Sequence, residues 1–193
     1  MPIDHVQARA LIGPVLGALL GHVPSLAAVQ AAQAVALLET HYGQAWKPPG
    51  EGSNNWGATQ VGAQSDRPCF SYTDHHSDGQ AYQACFGIYG SAEEGIEAYL
   101  RVMFRDRAGM AAATASGEIS NVAATMKRSG YFEAGLERHT ESLSKGVASI
   151  SAALGETNAF PGSKGGSTGS VLFALFLALP VIPIVIGLSK RFR

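Results

Sequence analysis

SLAAVQAAQAVALLETHYG, residues 25–43, is an Ala-rich apolar run that ends in a carboxylate and a stop signal. Ser25 follows Pro24 and suits an N-cap, since its hydroxyl can accept from a backbone N–H of the first turn. Gly43 is a natural residue just past a helix C-terminus. The run between them predicts a helix built for burial, and Glu39 is its one carboxylate. Burial disfavours the charged form of a carboxyl group and raises its pKa. A glutamate so raised stays protonated near neutral pH and can give its proton to a leaving group. The plain alternative is a solvated last-turn glutamate, and this stretch alone does not decide between them.

Outward from that helix, residues 1 to about 23 read as a weaker helical segment. It does not read as a secretory signal: Asp4 and His5 stand where a basic region is needed, and Gly13, Pro14 and Gly17 break the apolar stretch from Leu11 to Leu20. Residues 47–68 are rich in Pro, Gly, Ser and Asn and read as loop. Residues 69–89 read as a β-hairpin with Asp78-Gly79 as its turn signal. A loop centred on Ser77 sets Cys69 opposite Cys85 and Tyr72 opposite Tyr82. Opposed hairpin positions lie within disulfide reach, so Cys69 and Cys85 are either one bridge or two free thiols. SAEE at 91–94 is a capping box. It opens a helix over about 92–107 with Ile96, Tyr99, Leu100 and Met103 on one face. Further helices cover about 118–128 and 134–154.

The chain has 193 residues, a formal net charge of −1 and only 15% charged residues. No Lys/Arg block precedes the last few residues, which argues against a nucleic-acid partner. Two cysteines are too few for a disulfide scaffold or a Cys-based zinc site. TDHHSD, residues 73–78, holds two His and two Asp, but adjacent residues of a strand point to opposite faces, so neither a metal nor any other cofactor is expected. Residues 155–169 form a Gly/Ser-rich linker. Residues 170–188, SVLFALFLALPVIPIVIGL, carry no charge and as a helix span about 28 Å, close to a bilayer core. A basic tail, 189–193, follows. The positive-inside rule then puts the C-terminus in the cytoplasm and the main domain outside it, in the periplasm.

Four motifs occur in order: ETHYG at 39–43, SNNWG at 53–57, the hairpin running into FGIYGSAEEG, and SGYF at 129–132. Together they resemble the glucosaminidase-type peptidoglycan hydrolases, cell-wall enzymes with a lysozyme-like fold, over residues 25–140. The resemblance implies a lysozyme-like α+β domain over 1–154, mainly helical with one small hairpin, followed by the C-terminal transmembrane helix. It implies Glu39 as catalytic acid and Asn54, Asn55, Trp56 and Gly57 as a substrate-cleft loop. There, amides would bond N-acetyl groups and the indole would stack on a sugar ring. Tyr131 matches the family's cleft tyrosine; core packing is the plain reading of both Trp56 and Tyr131.

The chain departs from the family at two places. The residue after the glutamate is Thr40 where the family has Ser. The second glutamate of many members falls here at Asp74 or His75. Asp74 is one carbon shorter; it is either a general base toward water or part of the turn, where Asp is common. Without a second carboxylate, the N-acetyl group would assist, or a lytic transglycosylase reaction would need one acid/base and no water. The expected function is cleavage of the peptidoglycan glycan strand by a membrane-anchored N-acetylglucosaminidase, muramidase or lytic transglycosylase. The settings considered are local wall remodelling and phage genome entry, the latter as a protein of a virion membrane or tail among other virion proteins. The alternative is a non-catalytic glycan-binding or structural protein of the same fold.

Overall fold

The expected helix at 25–43 forms as α2 (Leu26–Thr40), and it is the axis of the domain. In the computed structural model, residues 3–44, 52–62, 65–76, 78–132 and 135–160 are described. Most of the expected linker, the apolar run 170–188 and the basic tail lie outside them. Ser25 Oγ accepts from Ala28 N at 3.2 Å, as its N-cap role requires. Ala31, Ala32, Ala34, Val35 and Ala36 are fully buried, so α2 is covered all round. Its small side chains let neighbours close in: a Cβ on Gly146 of α6 (Leu136–Leu154) would stand 3.3 Å from Ala34 Cβ.

α1 (His5–Leu20) runs antiparallel to α2, as shown by the bond from Gln44 Nε2 to Ile3 O at 3.2 Å. It is a firmer helix than its Gly and Pro content suggests. Asp4 and Gln7 form a capping box, and Ala8, Ile12 and Leu16 bury one stripe despite Pro14 in its middle. Tertiary burial here outweighs weak intrinsic propensity.

The helix expected over 92–107 is two helices. α3 (Ala92–Met103) stops at Phe104, and Asp106 caps a separate α4 (Arg107–Ala115) by accepting from Gly109 N at 2.9 Å. The Asp106 side chain bonds the backbone ahead of it in place of continuing α3, the competition that favours Asp at caps over helix interiors. α5 (Ile119–Arg128) and α6 are the remaining helices among the described residues.

β1 (Cys69–His75) and β2 (Ala81–Gly87) form the expected antiparallel hairpin. The register is shifted from the expected one: Cys69 faces Gly87, Tyr72 faces Ala84 and Asp74 faces Tyr82. A two-residue shift preserves which face each side chain takes. Cys69 and Cys85 therefore still share a face, and they form a disulfide with Cα atoms 5.4 Å apart.

Buried amides on α2 fix the last described residues. Gln30 donates to Thr157 O at 3.0 Å and accepts from Ala159 N at 2.9 Å. Arg9 donates to Gln33 Oε1 at 2.9 Å and pairs with Glu156 at 2.8 Å. Phe160 is fully buried.

His139 of α6 is the core's acid-sensitive point. It is buried and stacked on Phe132 at 3.7 Å, and neither ring nitrogen has a hydrogen-bond partner among the described residues. Burial, with the nearby Lys127 charge, lowers its pKa from 6.5 to about 4. The unfolded chain therefore takes up this proton before the folded one does. The stability tied to His139 is complete above about pH 6.5 and falls as the pH drops to about 4, by ~3 kcal/mol. In His139→Leu, that part of the acid slope should vanish. Urea denaturation at neutral pH and at pH 4.5 reads it out; an unchanged slope would count against this account.

Candidate active site

The end of α2 makes an uncommon turn. His41, Tyr42 and Gly43 have φ of 49°, 61° and 76°, three successive residues in the left-handed region. Two of them carry side chains, and such a conformation persists only where surroundings enforce it. Thr40 Oγ1 accepts from Gly43 N at 2.8 Å and donates to Trp56 O at 2.8 Å. Tyr42 N reaches back to Ala36 O at 3.0 Å. The buried Tyr42 ring lies 5.8 Å from that of Trp56, and its hydroxyl meets His5 Nδ1 at 2.6 Å. Burial pushes the Tyr42 phenol up to about 12, so it stays neutral.

Glu39 stands one residue before this clamp. The residue as a whole is half-buried, while its Oε1 is sealed from solvent. Desolvation raises its pKa from 4.5 to about 8, which leaves most of the carboxyl protonated at neutral pH. Tyr131 is an electrostatic neighbour. Its phenol is driven well above the ordinary value first by burial and then by the Glu39 charge. The influence runs one way because a neutral phenol exerts no charge over the range where Glu39 titrates. Tyr131 reaches its place because α5 stops at Ser129 and Gly130, the latter with φ 73°. Its hydroxyl donates to Gly57 O at 3.2 Å.

The loop at 52–62 ties these parts together but spends its side chains on its own structure. Asn55 is buried; its amide donates to Thr59 O and Gly87 O at 2.9 and 3.1 Å and its Oδ1 accepts from Thr59 N at 2.7 Å. Trp56 is 1% exposed, so its ring faces the core and offers no sugar platform in this conformation. Asn54, half-buried with φ 48°, donates to Tyr89 O at 3.0 Å. Gly57 contributes its carbonyl and its lack of a side chain: a Cβ there would lie 2.3 Å from Tyr99 Cβ and 2.8 Å from the Tyr131 hydroxyl.

Asp74 is a buried strand residue, not part of the turn. Tyr82 donates to its Oδ2 at 3.1 Å and His75 N to its Oδ1 at 2.9 Å. The same Tyr82 hydroxyl accepts from Gln60 at 3.1 Å, and its ring stacks on His76 at 4.4 Å. The sequence carries no signal for the roles of Tyr42 and Gln60, and it placed Tyr82 opposite Tyr72 where the structure sets it opposite Asp74. The position of Tyr82 opposite Asp74 becomes readable only when the hairpin register is known.

Thr40 carries a measurable share of this arrangement. In Thr40→Val, Gly43 N and Trp56 O lose a buried partner, which should cost ~2–3 kcal/mol and lower any activity that depends on Glu39. Thr40→Ser should retain most of the stability. Thermal unfolding of both variants distinguishes them, and equal losses would contradict the bridging role.

The fold, a helical set around α2 with a small two-stranded sheet, has counterparts among solved structures. A C-terminally truncated glycoside hydrolase domain from Salmonella typhimurium FlgJ superposes with a TM-score of 0.54 at 22% identity, covering 79% of this chain and 99% of that one. The glycoside hydrolase domain of the same protein gives 0.53 at 22% identity, covering 79% and 91%. No protein-family model and no curated protein matches the chain. The likeness establishes a shared fold.

Proposed function

We propose that this chain is a glycosidase that cleaves the glycan strand of peptidoglycan, with Glu39 as the acid that protonates the departing glycosidic oxygen. The observation that carries the reading is the Glu39 carboxyl, its Oε1 sealed from solvent and its pKa raised to about 8, at the clamped end of α2. Its location in a fold shared with glycoside hydrolase domains supports it. A general acid must be within reach of its substrate and hold its proton at working pH; rigid seating and burial serve both. Tyr131, beside Glu39, would orient the N-acetyl group or the developing charge. Asp74 would serve as base toward water after giving up its hairpin partners; otherwise the N-acetyl group assists or an intramolecular hydroxyl completes a transglycosylation. In this reading residues 170–188 anchor the domain in a membrane with Glu39 on the non-cytoplasmic side.

A second reading is a non-catalytic glycan-binding module. The internal engagement of both Asp74 oxygens favours it. Mass spectrometry of peptidoglycan incubated with the protein separates the two. Soluble fragments with a new reducing end or an anhydro end support the enzyme and name the bond and mechanism. Binding to insoluble peptidoglycan without release of fragments would leave the binding module standing and the enzyme refuted.

A further inference from the structure

The end of the domain opposite Glu39 is apolar, and it is where the described chain stops. A groove of about 530 Å³ opens there between the start of α2, the end of α1 and α4, lined by Leu20, Leu26, Ala28, Phe104, Ala115 and Ala159. Beside it, the α1–α2 turn exposes Val23 at 90% and Leu26 at 42%. Leu26 and Glu39 are 13 residues apart on one helix, so the groove and the acid are separated by roughly 20 Å at 1.5 Å per residue.

Ala159, a wall of this groove, is held by Gln30, and Phe160 is buried next to it. The described chain therefore ends at a fixed point on the apolar end of the domain. Ten peptide steps lead from Phe160 to Ser170, where the uncharged run begins. At about 3.5 Å per step they reach no further than ~35 Å. A bilayer holding 170–188 is thus kept within about one domain diameter of that point. Among the described residues, this end pairs the last described position with exposed large apolar side chains and a groove.

We propose that the α1–α2 turn and this groove form a lipid-facing surface that seats the domain on the bilayer, with Val23 and Leu26 entering the interface and Glu39 pointing away. The inference rests on the proposed anchoring by residues 170–188. Arg105, Arg107, Asp106 and Glu118 flank the groove in sequence, two positive and two negative. Their charges cancel, so seating is driven by apolar insertion and needs no anionic lipid.

The test uses the full chain in phosphatidylcholine vesicles, with an environment-sensitive fluorophore on Val23→Cys. The matched control is a label on Val6→Cys, a valine 62% exposed at the far end of α1. The label at position 23 should shift to the blue and be quenched several-fold by lipid-borne quenchers, and the label at position 6 should do neither. Added anionic lipid should change neither result. If the protein floats with the vesicles but both labels stay in water, the seating surface is refuted while anchoring stands. If the protein does not float, the anchoring reading fails and the inference falls with it. A blue shift that depends on protein concentration in detergent without vesicles would replace the bilayer with a second copy of the chain.

Discussion

Glu39→Gln should abolish peptidoglycan clearing while leaving the fold intact at neutral pH. Removing a general acid costs about 10²–10⁴-fold in rate, because the amide fills the same space but cannot give up a proton to the departing oxygen. The fold survives because the native carboxyl, with a pKa of about 8, is already mostly neutral at pH 7. One neutral group replaces another. The pH dependence provides a second readout. In the unfolded chain Glu39 loses its proton near 4.5, and in the folded chain near 8. The folded state thus holds a proton that the unfolded state has lost. Stability tied to this residue is complete below about pH 4.5 and declines as pH rises to about 8. Glutamine has no such slope, so the variant should be more stable than wild type at pH 9. Wild-type kcat/KM should meanwhile fall about tenfold per pH unit above 8, as the acid loses its proton. Zymograms and denaturant melts at pH 7 and 9 read out all three. A variant that clears as fast as wild type would remove Glu39 from the chemistry.

The parts of this site that lie within one element could be read from the chain, and the parts that depend on two elements could not. Ser25 caps α2 by local chemistry, and the stop signal at Gly43 placed its end only to within a few residues: α2 ends at Thr40 and His41 takes the left-handed cap position. The Ser91 cap of α3 is local in the same way. Asp106 carried an equally local signal for α4, masked by the apolar Val102, Met103 and Phe104 running up to it. Asn55 and Trp56 are different. An exposed amide and a buried one look alike in sequence; only the bonds to Thr59 and Gly87 show that Asn55 is committed to the loop. The pairing of Asp74 with Tyr82 depends on a hairpin register that Asp78-Gly79 places only to within a residue or two. The disulfide tolerated that uncertainty because faces repeat every second residue.

Gly95 of α3 packs directly on the Asn54 carbonyl, and Gly95→Ala should expose that contact. A Cβ at Gly95 would lie 1.7 Å from Asn54 O and 2.9 Å from its carbonyl carbon. Both are backbone atoms, so no rotamer change relieves the clash; either α3 or the 52–62 loop must move. That loop is poorly placed to yield. Asn54 holds φ 48° and is bonded to Tyr89, Asn55 is held by three bonds, the Trp56 carbonyl takes the Thr40 hydroxyl, and the Gly57 carbonyl takes Tyr131. Alanine should gain ~1 kcal/mol of helix propensity. Forced displacement of a packed backbone should outweigh that, for a net loss on the order of 3 kcal/mol. Since the same loop carries the Trp56 and Gly57 carbonyls that seat Thr40 and Tyr131, activity should fall more than stability alone explains. Gly17→Ala in α1 isolates the propensity effect, since a Cβ there meets its nearest neighbours, Pro24 Cδ and His22 O, at the ordinary distances of 3.4 and 3.5 Å. It should raise the melting temperature by a few degrees, whereas Gly95→Ala should lower it by about 6–12 °C. The same chemical change thus carries opposite signs at two helical sites. If both variants shifted the melting temperature in the same direction, close packing of α3 on the Asn54 carbonyl would not be what positions the loop.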